Sequence, residues 1–184
     1  MVRICFRRHF VLLAIASVLL IALREAPSLL NSELNYPLYG VLHALTVVGA
    51  LRRPIPAFEI GLFVVAGAIL SLGAFYAGIY LGGALGALAP GGRAVYAMFA
   101  LGSAVGALTY GLTVRLLWLR QLSYTSIALI AAGCTSATIA TIPVATDGKF
   151  LDAILTLTWW WTFSALLWTQ TVRPWHLTMR SSGP

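Results

Sequence analysis

Six apolar stretches alternate with short polar connections in this chain, and its basic residues collect at every second connection. Arg3, Arg7, Arg8, Arg52, Arg53, Arg115, Arg120, Arg173 and Arg180 fall at one set of stretch ends. Only Arg24, Arg93 and Lys149 fall at the other. Basic residues beside membrane-spanning segments are retained on the cytoplasmic side, so the pattern fixes both a span count and an orientation. The cytoplasmic side then carries nine basic residues against Glu59, a net of +8. The outer side carries three against Glu25, Glu33, Asp147 and Asp152, a net of −1, and the two sides add to the chain's +7. Gaining or losing one span would exchange every later loop and destroy the bias. The expected fold is therefore all-α: a polytopic transmembrane helical bundle of six spans with both termini cytoplasmic.

Only 9% of the residues are charged, where a soluble domain carries about 25%. So few charges cannot cover a water-facing surface, but a lipid-facing one needs none. A span crosses a hydrocarbon core of about 30 Å with about 20 residues. On that scale the spans are expected at residues 9–26, 36–51, 57–89, 94–119, 124–145 and 152–171, in a single transmembrane domain, with 172–184 as a cytoplasmic tail. The third stretch is long for one crossing. A tilted helix is expected there, with a break near Gly82-Gly83 as the competing reading. Arg3, Arg7 and Arg8 before an apolar run also outline a signal peptide. No A-x-A pattern follows Leu23, so an uncleaved first helix is expected.

The positive charge is spread singly or in pairs at helix ends rather than in a patch, which excludes a nucleic-acid partner. Cys5 and Cys134 fall at different expected depths, so no disulfide between them is anticipated, and no Cys/His spacing suits a metal. No cofactor is implied. Hydrolase, metalloprotease and nucleotide-binding motifs are missing from the sequence, as is a mid-membrane pair of carboxylates.

Two groups of residues stand out. Ala74, Gly78, Gly82 and Gly86 recur at four-residue intervals, and Gly102 and Gly106 do the same in the next span, beside Ser103, Ala107 and Gly111. Small residues at this spacing let two helix backbones approach closely in lipid. Packing of span three on span four is expected, with a homodimer seam as the alternative. The second group is polar. Tyr36, Tyr39, His43 and Thr46 form one stripe on span two, with the tyrosines expected at the outer interface and His43 as the one histidine within the hydrocarbon. Cys134, Thr138 and Thr141 share a face of span five. Tyr39, His43, Thr46, Thr138 and Thr141 are thus the candidate intramembrane site. His43 is expected as a neutral imidazole bonded to a nearby hydroxyl or carbonyl; a relay or ligand contact is the sharper alternative.

Glu59 suits the N-terminus of span three, where Arg52, Arg53 or Arg115 could pair with it. Trp118 is expected at headgroup level. Consecutive Trp159, Trp160 and Trp161 point in different directions, one toward lipid and two toward helices. The leading functional expectation is a non-enzymatic scaffold or membrane subunit of an assembly. It would sit in the cell membrane with the lipid bilayer as its surroundings, as a homo-oligomer or beside a partner subunit. The first alternative is a small permease or channel with a polar route past His43. The second is an intramembrane enzyme acting on lipid through His43 or through Asp147 and Asp152.

Overall fold

The computed structural model describes residues 5–25, 32–51, 55–88, 94–143 and 151–172. All regular structure among them is helical. The helices are α1 (Phe6–Glu25), α2 (Ser32–Ala50), α3 (Ala57–Ala77), α4 (Gly83–Ala87), α5 (Ala94–Leu117), α6 (Tyr124–Thr141) and α7 (Leu151–Val172). A π-helical turn, Gly78–Gly82, joins α3 to α4 without a break. These three pieces make one rod of 31 residues, about 46 Å long. The break weighed near Gly82-Gly83 is replaced by this π turn.

Several boundaries differ from expectation. α1 begins at Phe6, so His9 lies one turn inside it. α2 begins at Ser32 and carries Pro37 within it; the proline removes one backbone bond near the helix start and does not end the helix. α6 stops at Thr141, just before Ile142 and Pro143. Its other end is fixed by Ser123, whose side chain accepts the Ser126 amide at 3.0 Å, satisfying one of the unpaired donors of the first turn.

The rods close into a ring. α1 packs on α2, α2 on α3, the α3–α4 rod on α5, α5 on α6, α6 on α7, and α7 returns to α1. Neighbours run antiparallel throughout. Cys5 N–H donates to the Ala50 carbonyl between the start of α1 and the end of α2. Tyr36 stacks on Phe75 across α2 and α3, Phe63 meets Trp118 across α3 and α5, and Ser126 Oγ donates to Gln170 across α6 and α7. Phe6 and Trp168 lie 5.4 Å apart between ring centroids. The start of α1 and the end of α7 therefore share one end of the bundle. Arg7, Arg8, Arg115 and Arg120 all sit at that end, termed here the basic end.

Large apolar residues face outward on every rod: Val11 and Val18, Leu45, Val65 and Ile69, Leu112 and Leu116, Leu129, and Ile154 are all exposed. Among the described residues, four helices are long and apolar enough to cross a membrane: Phe6–Leu23, Ala57–Ala87, Ala94–Leu117 and Tyr124–Thr141. α2 and α7 do not reach that apolarity because they carry the polar and aromatic residues of the interior. α2 contributes Asn35, Tyr39, His43 and Thr46; α7 contributes Trp160 and Ser164.

Two glycine contacts set the spacing of the ring. A Cβ on Gly82 would come 2.5 Å from Met98 Cα, and one on Gly78 would come 2.7 Å from the Met98 carbonyl oxygen. Gly86 backs in the same way onto Ala94, and Gly102 and Gly106 onto Ala74. Positions four apart drift by about 40° per step around an α-helix. The wider π turn advances less per residue and draws the row back, so Ala74 through Gly86 stay against α5. The second contact was not anticipated: Gly40 of α2 meets the Gly67 backbone of α3, where a Cβ on Gly67 would lie 2.9 Å from the Gly40 carbonyl oxygen.

Candidate functional site

The two halves of the ring are filled differently. Toward the basic end, Phe63, Val114, Trp118, Leu119, Leu122, Ile127, Phe163 and Leu167 form one continuous core. Trp118 is 4% exposed, and its ring is tilted against that of Phe63 with centroids 4.4 Å apart. It is buried within the bundle, and its indole N–H donates to Glu59 Oε2 at 3.1 Å. Glu59 is thereby held by Trp118, while Arg115 turns away to the carbonyls of Arg120 (2.9 Å) and Leu122 and lies over the Tyr124 ring. Those carbonyls lie in the link between α5 and α6. Arg52 and Arg53 lie outside the described residues, as do Asp147 and Lys149.

Toward the far end, the centre of the ring is a cavity of about 250 Å³. α2, α3, the π turn, α5, α6 and α7 all contribute to its wall. The rim includes Tyr36, Phe75, Ile79, Met98 and Leu155; the floor includes His43, Tyr110, Trp159 and Trp160. From Tyr36 to His43 is seven residues of helix, so the cavity is about 10 Å deep along α2. Glycines at 40, 67, 78, 102 and 106 line it as well, so the close helix contacts and the cavity belong to the same surfaces. Among the described residues that line it, none is charged.

The candidate polar residues divide over this geometry. Tyr39, His43 and Thr138 line the cavity. Tyr39 is 4% exposed and packs with Leu13, Leu20 and Trp160, so it is a buried wall residue. The Thr138 hydroxyl donates to Ser103 Oγ at 3.1 Å, linking α6 to α5, and the Trp159 indole donates to the Ser103 carbonyl at 3.2 Å. Thr141 is not part of the wall; its hydroxyl donates to the Ala137 carbonyl at 2.8 Å and lies 3.5 Å from Thr158. Thr46 lies below the floor and donates to the His43 carbonyl at 2.7 Å. The three tryptophans separate as their spacing requires: Trp160 is buried, Trp159 half-buried, and Trp161 exposed with its indole on Ser17 Oγ.

His43 is not the one interior histidine. His9, in the basic stretch at the start of α1, is 2% exposed. Its Nδ1 lies 3.1 Å from the Thr46 carbonyl and its Nε2 2.8 Å from Ser164 Oγ. Ser164 Oγ also lies 3.5 Å from His43 Nε2. A carbonyl can only accept, so His9 Nδ1 carries the proton and, in a neutral ring, His9 Nε2 accepts from the Ser164 hydroxyl. Ser164 then accepts from His43 Nε2–H over the longer contact. This leaves His43 Nδ1 as a lone-pair acceptor, and it has no hydrogen-bond partner within the protein. The His43 ring itself is held among Tyr110, Trp159, Trp160 and Phe163, with centroids 5.0 to 5.7 Å away. Tyr110 Oη, on the same floor, likewise lacks a partner.

Sequence reasoning missed Tyr110, His9 and Ser164. Tyr110 follows Ser103 and Ala107 at helical spacing, so that row carried a signal for it. His9 was masked by Arg7 and Arg8, and Ser164 by the apolar run around it. No disulfide joins Cys5 to Cys134, and among the described residues no three His, Cys, Asp or Glu side chains gather into a metal-binding group. No protein-family model matches the chain, and neither a curated protein nor a solved structure shows significant similarity to it.

Proposed function

We propose that this protein is a six-span integral membrane protein of the cell membrane, with both chain ends cytoplasmic, that binds a small apolar molecule inside its bundle. The observation that carries the reading is the cavity at the centre of the far half, with an aromatic wall and an uncharged lining. Ligand sites are concave, largely apolar and supplied with a few convergent polar groups, and sites between the helices of bundles are common. A bare scaffold has no need of such a space. An ion path would need polar groups along its length, whereas this cavity is blocked below His43 by the packed core around Phe63 and Phe163. Binding without catalysis fits the wall, because Ser164 and His9 are buried beneath it and outside its lining.

The span count and orientation rest on the charge bias and on the pairing of chain ends. Arg7, Arg8, Arg115 and Arg120 share the end where α1 begins and α7 finishes. α2 and α7 complete the spanning set because their polar groups are turned inward and their lipid faces are apolar.

Two experiments test the reading. Purified full-length protein in nanodiscs is titrated with naphthalene, read by quenching of tryptophan emission against empty nanodiscs. Saturable quenching that Thr156→Phe abolishes is expected, since Thr156 lines the cavity; no saturable quenching of a folded protein refutes ligand binding. For topology, single thiols introduced as Arg173→Cys and Lys149→Cys should label from the cytoplasmic and outer sides respectively. Labelling of both from the same side removes the six-span arrangement.

A further inference from the structure

α1 and α7 are the one pair of adjacent rods in the ring with no glycine on either. Aromatic rings line their seam instead. Phe6 and Trp168 lie 5.4 Å apart between centroids, Trp168 meets Phe10 edge to face at 6.4 Å, and Phe10 stacks on Trp161 at 5.8 Å. Trp161 and Trp168 are still 39% and 42% exposed. They stand seven residues apart on one face of α7, so the ladder is about 10 Å long and looks out of the bundle.

Uncommitted positive charge stands at the basic end of this ladder. Arg7 and Arg8 are exposed, and among the described residues neither makes an ion pair or a hydrogen bond. Arg115, by contrast, is spent on main-chain carbonyls and the Tyr124 ring. At 100° per residue, Arg7 falls about 60° from Phe10 around α1, and Arg8 about 160°. Arg7 therefore flanks the ladder, while Arg8 lies on the opposite side of the rod. The carboxylate at this end among the described residues is Glu59, at the start of α3 and held by Trp118. No acid on α1 or at the end of α7 competes for Arg7.

Resting on the membrane reading above, we infer that the α1–α7 seam binds a phospholipid of net negative charge, with its phosphate on Arg7 and an acyl chain along the Phe6–Trp168–Phe10–Trp161 ladder. Charge and depth select this occupant. A guanidinium presents paired donors that match phosphate oxygens, and arginines beside a span attract anionic headgroups. Trp168 lies one turn from the end of α7, where amphipathic rings favour headgroup level. Deeper along the ladder the surface is apolar, because the Trp161 indole N–H is already given to Ser17 Oγ at 3.2 Å. An acyl chain meets no unpaired donor there. A zwitterionic headgroup would bring its own cation beside Arg7, whereas an anionic one brings none.

The full-length protein is placed in nanodiscs of equal phosphatidylcholine and phosphatidylglycerol, with bromine on the acyl chains of one lipid or the other, and tryptophan quenching is compared. Composition and surface charge are the same in both preparations, so the readout is which lipid lies against the indoles. About fivefold preference for phosphatidylglycerol is expected, the factor conferred by one arginine near an anionic headgroup. Arg7→Gln should bring the preference close to unity; Arg7 is exposed and unpaired, so the fold is expected to survive. Arg8→Gln and Arg120→Gln remove the same charge from the same end but away from the ladder, and should keep most of the preference. Trp161→Phe combined with Trp168→Phe should remove the selective quenching. Equal quenching by the two lipids overturns the inference. So does an equal loss in Arg7→Gln and in either control, which reduces the effect to the general charge of that end, and so does full selectivity without the two indoles. Quenching by neither lipid refutes the membrane reading itself, which equal quenching leaves standing.

Discussion

One ring of six helical rods encloses two different interiors. Its basic-end half is filled by Phe63, Trp118, Phe163 and the leucines between them, whereas its far half holds a cavity. The difference is one of side-chain size. In the filled half, large residues on facing helices interdigitate. In the hollow half, Gly78, Gly102 and Gly106 occur where α3 and the π turn face α5, and Gly40 and Gly67 where α2 faces α3. Those glycines draw neighbouring backbones into contact along the wall while leaving the centre without side chains to fill it. Close packing between adjacent rods and an open centre are thus two consequences of the same small residues.

The largest effect is expected where backbone meets backbone. Gly82→Leu would drive a side chain into Met98 and Ala97, whose main-chain atoms lie 2.5 to 2.9 Å from a Cβ at that site, and main chain cannot rotate away. A loss of about 3 kcal/mol is expected, toward the upper end for overpacking, read as a lowered unfolding midpoint in detergent. A wild-type midpoint would mean that the α3–α5 contact does not set the ring.

Truncating matched aromatics in the two halves comes next. Phe63 is fully buried among Tyr110 and Trp118. In the proposed membrane setting Phe63→Ala should cost about 2 kcal/mol, below the usual range for aqueous cores, because lipid would supply no hydrophobic drive to association and only packing would be lost. Phe99→Ala, on the cavity wall, should cost less than about 1 kcal/mol, because its inner side already lacks neighbours. Equal losses would abolish the distinction between the halves.

The smallest effect concerns the polar link across α5 and α6. Thr138→Val removes the donor to Ser103 while keeping the branched shape. A loss of about 0.6 kcal/mol is expected, the average for such bonds between membrane helices. A loss several times larger would show that the link, rather than the glycine contacts, holds the hollow half open.

Legibility in the sequence followed the range of the interaction. Ala74, Gly78, Gly82 and Gly86 could be placed on one face because the spacing is local. Their partners Ala94 and Met98 could not, nor could the Gly40–Gly67 contact, since each depends on how two rods cross. His43 and Thr138 were noticed as polar residues in apolar surroundings. Ser164 escaped notice because nothing in its own neighbourhood marks it, and Tyr110 although it continues the row of Ser103 and Ala107. Trp118 and Tyr39 were assigned to interfaces because amphipathic rings favour that level in a bilayer. The indole bond to Glu59 and the packing of Tyr39 on α1, which bury both rings within the bundle, depend on neighbouring rods and could not be read from either helix alone. α2 and α7 show the same limit in another form: hydropathy counts His43, Tyr39 and Trp160 as polar cost and cannot see that the bundle interior receives them.

What the sequence by itself determined is the helical character of the chain, the placing of its rods and the charge difference between their ends. Backbone groups away from water must be satisfied within each segment, and helices do that locally. What only the tertiary structure decided is that residues 43, 110 and 164, on three different rods, meet around one floor. Side chains far apart in sequence become neighbours only through the crossing of helices, and that crossing is set jointly by small residues on opposing surfaces rather than by any one stretch of chain.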